Sequence, residues 1–307
     1  GLGDVYKRQC IYILILFILD LKKNIFNELI TLSTILPTAM AIAFVAYIIR
    51  FLRWNWLLTR ADHSLPAASS FLAYLSGFSL TATPGKIGEL LRIRYFSRLG
   101  VRHQLVISAF IYERAFDLIV VLLISLLAAV ELGVTSLITT FVLIAITTVI
   151  LFAKNPSWLG SIAVRLRAYR FRKLSKYVKA LRDGLHGINQ WVNFTDLTIS
   201  FVLGAIAWSL TSFAFVWLIS NLGIEIPIST AFALYPIAML VGAASMLPGG
   251  IGSTEAAIVT LLALLGTPVT IATVAAIGIR IASLWFSIFC GLIAMVILEY
   301  KHTKLKQ

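Results

Sequence analysis

The sequence predicts an all-α polytopic membrane protein, with about six full transmembrane helices and two re-entrant helical hairpins in an inverted repeat. Three observations carry that prediction. The 307 residues are 60% hydrophobic and 13% charged, with a mean hydropathy of +0.94, a balance suited to hydrocarbon rather than water. Two apolar regions are each broken by proline and glycine and followed by a carboxylate: Pro84-Gly85-Lys86-Ile87-Gly88-Glu89, and Pro248-Gly249-Gly250-Ile251-Gly252 with Glu255. Irregular backbone at membrane depth must be buried in protein or line a wet cavity. The surroundings of the two breaks also match. Leu99-Gly100 parallels Leu265-Gly266, and an arginine follows each glycine at the same spacing, Arg114 and Arg280.

Taken in order, Gly1 to Gln9 has no counterpart in the rest of the chain and reads as a non-native leader. Residues 10–307 then form a single transmembrane domain. Cys10 to Leu19 is about half a crossing at about 1.5 Å per residue, so it reads as a truncated first helix. Leu32 to Leu58 is a full span. Its end, Arg50-Phe51-Leu52-Arg53-Trp54-Asn55-Trp56, has the basic and aromatic composition of an interface anchor. Ala67 to Thr83 and Leu90 to Leu99 flank the first break and are too short to cross comfortably, which predicts a hairpin entering and leaving on one side. Gln104 to Val130 is a span carrying Glu113, Arg114 and Asp117, and Val134 to Ala153 is the next.

Lys154 to Asn193 holds nine basic residues up to Arg182 against Asp183 alone, the strongest positive-inside signal in the chain. It reads as a cytoplasmic, interfacial segment on anionic lipid. Leu197 to Leu222 spans outward. Ala231 to Leu247 and Glu255 to Leu265 flank the second break. Ile271 to Leu298 is a span interrupted only by Arg280, and Lys301 to Lys306 is a basic, cytoplasmic end. Parity from the basic segment makes the first hairpin open to the cytoplasm and the second to the exterior. The repeat halves, about 31–153 and 194–300, are therefore inverted. Secondary transporters with this architecture bind substrate near the midplane, between discontinuous helices.

The excess of 26 Lys+Arg over 13 Asp+Glu reports cytoplasmic loops and anionic headgroups, not nucleic acid. Cys10 and Cys290 give no disulfide framework, and His63, His103, His186 and His302 give no metal spacing. No phosphate loop, zinc pattern or nucleophile triad is present, so neither enzyme activity nor a cofactor is expected. Glu113 and Asp117 share one helical face but form too small a set for acid–base catalysis.

The helix-break residues are Pro84, Gly85, Gly88, Pro248, Gly249, Gly250 and Gly252. Arg280 lies roughly 14 Å inside its span at about 1.5 Å per residue, and a charge at that depth needs a partner or an anionic ligand. Repeat symmetry pairs Glu89 with Arg114 and Glu255 with Arg280. The two arginines, with helix N-termini at Gly88 and Gly252, would then bind a lipid phosphate. Proton coupling through Glu89, Glu255 or Asp117 is an alternative use of the same groups.

Arg53-Trp54, Pro84-Gly-x-x-Gly-Glu89 with Arg92, Glu113-Arg114-x-x-Asp117, and Pro248-Gly-Gly-Ile-Gly with Glu255 and Arg280 together resemble the lysylphosphatidylglycerol synthase transmembrane family. That family includes the flippase-like domain of the multiple peptide resistance factor. The resemblance covers about residues 10 to 300. It implies a flippase-like domain moving a phospholipid or a polyprenyl-linked, anionic substrate across the cytoplasmic membrane. It also implies substrate-binding or gating roles for Glu89, Arg92, Glu113, Arg114, Asp117, Glu255 and Arg280. Lipid lysylation is not expected, because the aminoacyl-transferase domain of two-domain members has no counterpart here. Lys86, where an arginine is common in the family, keeps the charge without the fork geometry. The competing expectations are a proton-coupled carrier of a small anionic solute and a non-transporting lipid-binding scaffold. Membrane lipids are the expected partners, with a homo-oligomer as a further possibility.

Overall fold

A computed structural model describes residues 25–129 and 182–304. The expected leader, the crossings at Cys10–Leu19 and Val134–Ala153, and most of the basic segment lie outside the described residues. The described chain is helical throughout. Helix α1 spans Ile25–Arg60, α2 Ala67–Ser76, α3 Arg92–Arg98 and α4 His103–Ala129. After a short helix at 182–188 come α5, Phe194–Asn221, α6, Ile228–Ala244, α7, Ser253–Leu264, α8, Val269–Arg280, and α9, Phe286–Lys304.

Among the described residues, three helical segments are long and apolar enough to cross a membrane: Leu32–Arg60, Phe194–Asn221 and Val269–Lys304. The last is α8 and α9 joined through a π-helical turn, Ile281–Trp285, directly after Arg280. α4 has 27 residues, enough for a crossing, but Glu113, Arg114 and Asp117 sit in its middle. This is an all-α membrane protein, as the sequence predicts.

Local chemistry sets the boundaries. α1 ends in a turn whose Asp62 takes a φ of 59°, and α2 begins behind Pro66. α5 ends the same way, at Gly223 with φ 71°, and α6 begins behind Pro227. Pro at the entry presets φ and forgoes an N–H that the first turn leaves unused. Leu99-Gly100 and Leu265-Gly266 close the two broken regions with nearly equal geometry: φ −90° then 85°, and φ −90° then 87°. At the breaks themselves, Lys86 (φ 56°) and Gly250 (φ 64°) occupy corresponding positions in the left-handed region. Lys86 is strained there and Gly250 is not.

The first break is longer than the sequence suggests. α2 stops at Ser76, and 3-10 turns at Gly77–Leu80 and Pro84–Leu91 carry the chain to α3. The second is compact, with a 3-10 turn at Pro248–Gly250 and Gly252 as the N-cap of α7.

α1 lies along α5, while α2 packs on α9 and α6 packs on α4. The broken region after α2 is thus flanked by α9, and the one after α6 by α4. Among the described residues, two large apolar cores result, with a smaller cluster of Val120, Val121 and Trp208 beside them. One gathers Trp54, Leu57 and Leu58 of α1, Tyr74 of α2, Phe96 of α3 and Ala109 of α4. The other gathers Leu32 of α1, Phe215 of α5, Leu234 of α6, Ile258 of α7 and Ala275 of α8. α1 runs through both cores, and the charged groups collect where they meet.

The end of α1 is a correction to the sequence reading. Arg53 and Trp54 are both 0% exposed, so these two residues belong to the interior and not to an interface anchor. Gly204 of α5 makes the room: a Cβ there would stand 2.7 Å from Arg53 Nη1.

Candidate functional site: a basic cluster between two broken helices

α4 supplies the carboxylates that organise the site. Glu113 and Asp117 are one turn apart on the same face, which is turned inward. Asp117 Oδ1 accepts from Arg53 Nη2 at 2.7 Å, and its Oδ2 accepts from Arg50 Nη1 at 2.8 Å. Arg114 Nη2 is 3.1 Å from Asp117 Oδ2 and 3.4 Å from Glu113 Oε2. Glu113 Oε1 accepts from Tyr74 Oη at 2.7 Å, and Arg53 stands 3.3 Å away. α1 and α4 are thereby clamped through largely buried charges.

The first break adds Glu89 and Arg92. Arg92 Nη2 donates to Glu89 Oε2 at 2.7 Å, Nε donates to the Glu89 carbonyl at 3.1 Å, and Nη1 donates to Glu113 at 3.4 Å. Its guanidinium also lies 4.7 Å from the Trp54 ring and 4.6 Å from the Tyr74 ring. Each nitrogen of Arg92 makes a hydrogen bond to the protein and the side chain is 0% exposed, so it positions the break. Glu89 Oε1 accepts from Thr81 Oγ1 at 2.7 Å.

The expected pairing of Glu89 with Arg114 is a long one, 4.0 Å, because Arg92 takes the close position at 2.7 Å. The expected pairing of Glu255 with Arg280 is present: Arg280 Nε donates to Glu255 Oε1 at 2.7 Å. Arg280 Nη2 also donates to the Gly249 carbonyl at 2.6 Å, tying α8 to the second break.

The expected helix N-termini are not free to bind an anion. Gly88 N–H donates to Thr83 Oγ1 at 2.7 Å and lies inside a 3-10 turn rather than at an α-helix start. Gly252 N–H donates to Glu255 Oε2 at 2.7 Å. The protein's own side chains use these two donors, which moves the anion-binding capacity to the side chains nearby.

The two breaks meet. A Cβ on Gly249 would stand 3.1 Å from Ala82 Cα and the residue takes a φ of 62°, so glycine suits this close approach. Around the meeting point lie two cavities. One, of about 90 Å³, is bordered by Lys86, Glu89, Arg114, Gly249 and Arg280 together with hydroxyl side chains. The other, of about 250 Å³, shares Lys86, Arg114 and Gly249 and is otherwise largely apolar. Leu118 and Leu247 on its wall are exposed at the protein surface, 36% and 46%.

Among the described residues, six basic side chains meet here (Arg50, Arg53, Lys86, Arg92, Arg114, Arg280). They face four carboxylates: Glu89, Glu113, Asp117 and Glu255. The site therefore carries two surplus positive charges. The Lys86 ammonium makes no hydrogen bond or ion pair, and Arg114 Nε and Trp208 Nε1 are buried donors without acceptors. Buried unpaired donors are costly in a finished structure, and an acceptor ligand would satisfy them.

Arg50, Arg53, Tyr74 and Trp208 were not among the expected site residues. The first two lie in an apolar run beside tryptophans, where composition points to an interface. The signal available for them was the Arg53-Trp54 pair within the set of resembling motifs.

A model of the family described as the lysylphosphatidylglycerol synthase TM region matches residues 9–291. The chain is also 27% identical over 282 residues to a UPF0104 membrane protein of Methanothermobacter thermautotrophicus, covering 84% of this chain and 82% of that one. The match spans both broken regions and the charges gathered between them, and so the chain belongs to the lysylphosphatidylglycerol synthase transmembrane family.

Proposed function

We propose that the protein is a flippase-like transporter that moves a phospholipid or a lipid-linked anionic substrate across the cytoplasmic membrane. The observation that carries this is the surplus of positive charge at the junction of a small polar cavity and a larger apolar one. An amphiphile with a charged phosphate matches that division. Exposed Leu118 and Leu247 give the apolar cavity a lateral way out toward lipid.

The two broken regions are read here as re-entrant hairpins in inverted halves. Support comes from the matched turns at Asp62 and Gly223 and at Gly100 and Gly266, and from the exchanged packing of α2 on α9 and α6 on α4. Support for orientation comes from charge. Arg94 and Arg98 of α3 reach Glu299 near the basic end of α9 at 3.1 and 3.3 Å, so the mouth of the first hairpin shares a face with that end. The positive-inside rule assigns this face to the cytoplasm. Ionic partners that can be exchanged suit a moving site better than a static lock, because buried pairs add little net stability.

The test is lipid translocation in proteoliposomes, read by quenching of fluorescent lipid in the outer leaflet. Wild-type protein is expected to accelerate flipping of an anionic phospholipid. Lys86→Gln and Arg114→Gln, with melting temperatures checked, are expected to abolish it. Normal flipping by both variants, or none by the wild type, would overturn the proposal. The small size and polarity of the 90 Å³ cavity favour one second reading, a carrier for a small anionic solute coupled to protons. Uptake of a soluble anion driven by a pH gradient, without lipid flipping, would select it.

A further inference from the structure

We infer that the π-helical turn Ile281–Trp285 is a coupling joint, through which a change at one broken region reaches the other. The inference concerns how the two regions move together and holds whatever the basic site carries.

The turn holds one residue more than a regular α-helix would place there. The Phe286 N–H reaches the Ile281 carbonyl, five residues back instead of four. Nothing in Ile281-Ala282-Ser283-Leu284-Trp285 forces this, since it contains neither proline nor glycine. Neighbouring helices hold it instead. Tyr47 Oη of α1 donates to the Ser283 carbonyl at 2.8 Å. Ser283 Oγ donates to the Ile279 carbonyl at 2.6 Å, which leaves it to accept from Tyr235 Oη of α6 at 2.8 Å. Ser287 Oγ donates to the Leu284 carbonyl at 2.7 Å. An ordinary α-helical register is therefore a second state open to the same residues, and the packing around the turn selects between the two.

The segment from α8 to α9 touches both breaks. Before the turn, Arg280 donates to Glu255 and to the Gly249 carbonyl, both at the second break. Within the turn, Leu284 Cδ2 lies 3.5 Å from where a Cβ of Gly249 would stand. After it, Gly291 of α9 lies so close to the Phe78 and Ser79 backbone of the first break that a Cβ would collide with both. Converting the turn to α-helix rotates α9 relative to α8 by about 100° and lengthens the segment by about 1.5 Å. That rotation brings a neighbour of Gly291, Cys290 or Leu292, to face the Phe78–Ser79 backbone. Neither fits, so α9 parts from the first break. Arg280 thus secures the π register from the second break, and Gly291 reads it at the first.

The test needs no substrate, so it succeeds or fails apart from the transport proposal. On a background with Cys10 and Cys290 replaced by alanine, Ser79→Cys places a thiol at the contact with α9, where the native residue is 7% exposed. Its rate of alkylation by N-ethylmaleimide is measured in the purified full chain in detergent. Glu255→Gln weakens the hold on Arg280 and is expected to speed alkylation by at least about fivefold, the low end of ordinary coupling between sites. Tyr47→Phe, which frees the Ser283 carbonyl, is expected to do the same. Deleting Ala282 takes the extra residue out and leaves a regular helix with α9 in its present orientation. The deletion is expected to cancel the effect of Glu255→Gln. Ser125→Cys, at a residue of α4 with 0% exposure, controls for general loosening, and its rate is expected to stay the same. An unchanged Ser79→Cys rate in Glu255→Gln, or an equal rise at Ser125→Cys, would overturn the inference. So would persistence of the effect after the deletion. If the deletion variant does not fold, Tyr47→Phe decides alone, and an unchanged rate there overturns the joint.

Discussion

Asp117 and Lys86 are both charged and both face the same site, yet their substitution has opposite expected consequences. Asp117 holds Arg50 and Arg53 at 2.8 and 2.7 Å, and Arg53 has no exposure to water. Asp117→Asn leaves those guanidinium groups short of a counter-charge. Breaking a buried pair costs about 3–5 kcal/mol, so thermal melting in detergent should show a large loss of stability. Lys86 has no ion-pair partner to leave stranded, and Lys86→Gln should change stability by no more than about 0.5 kcal/mol. Its effect should appear in ligand binding and transport alone. An equal loss of stability in the two variants would mean that Lys86 belongs to the structural network and is not part of an open site. At this scale the sequence was partly readable. Glu255 and Arg280 find each other as symmetry requires, although Glu255 stands later in the motif than Glu89 does. Trp208 carried no signal, since a tryptophan in an apolar helix reads as lipid-facing or core, and only its neighbours in space make its N–H significant.

Among the elements, glycine marks two different physical demands. Gly291 lies in α9 against the first break. A Cβ there would stand 2.7 Å from the Phe78 carbonyl carbon and would run into the Ser79 backbone. Neither backbone atom can rotate away, so Gly291→Ala should cost about 1–3 kcal/mol and loosen the grip of α9 on the first break. Gly100 has nothing within 4 Å of that position but takes a φ of 85°. Gly100→Ala should therefore cost about 1 kcal/mol, from backbone strain alone. Melting the two variants side by side separates contact from conformation. If Gly100→Ala is the more damaging, the close approach of α9 to the break is not what secures it. The broken elements were legible because a cluster of proline and glycine inside an apolar run interrupts the helix wherever it falls. Their length was not. Gly77–Leu80 is a second 3-10 turn that begins before Pro84, and no proline announces it. The capping of Gly88 by Thr83 and of Gly252 by Glu255 was equally hidden, because it depends on which donors each turn leaves unused.

Over the whole molecule, the chain solves the problem of holding charge in an apolar medium by placing it between two hydrophobic cores. Each core closes around one broken region, and α1 joins the two. The packing of α2 on α9 and α6 on α4 means that each broken region is held from both sides of the chain, so movement of one part must carry part of the other. Composition made the fold class legible. That packing was not, because sequence order says which segments correspond and not which ones touch. The central claim is that two oppositely facing broken regions share one basic site. Its most direct test is chemical access from each side of the membrane. Single cysteines at Arg102, beside the first hairpin's closing turn, and at Val269, beside the second's, replace exposed residues on a background without Cys10 and Cys290. Labelling with an impermeant maleimide in right-side-out and inverted vesicles should reach Val269→Cys from the exterior and Arg102→Cys from the cytoplasm. Labelling of both positions from the same side would contradict the account.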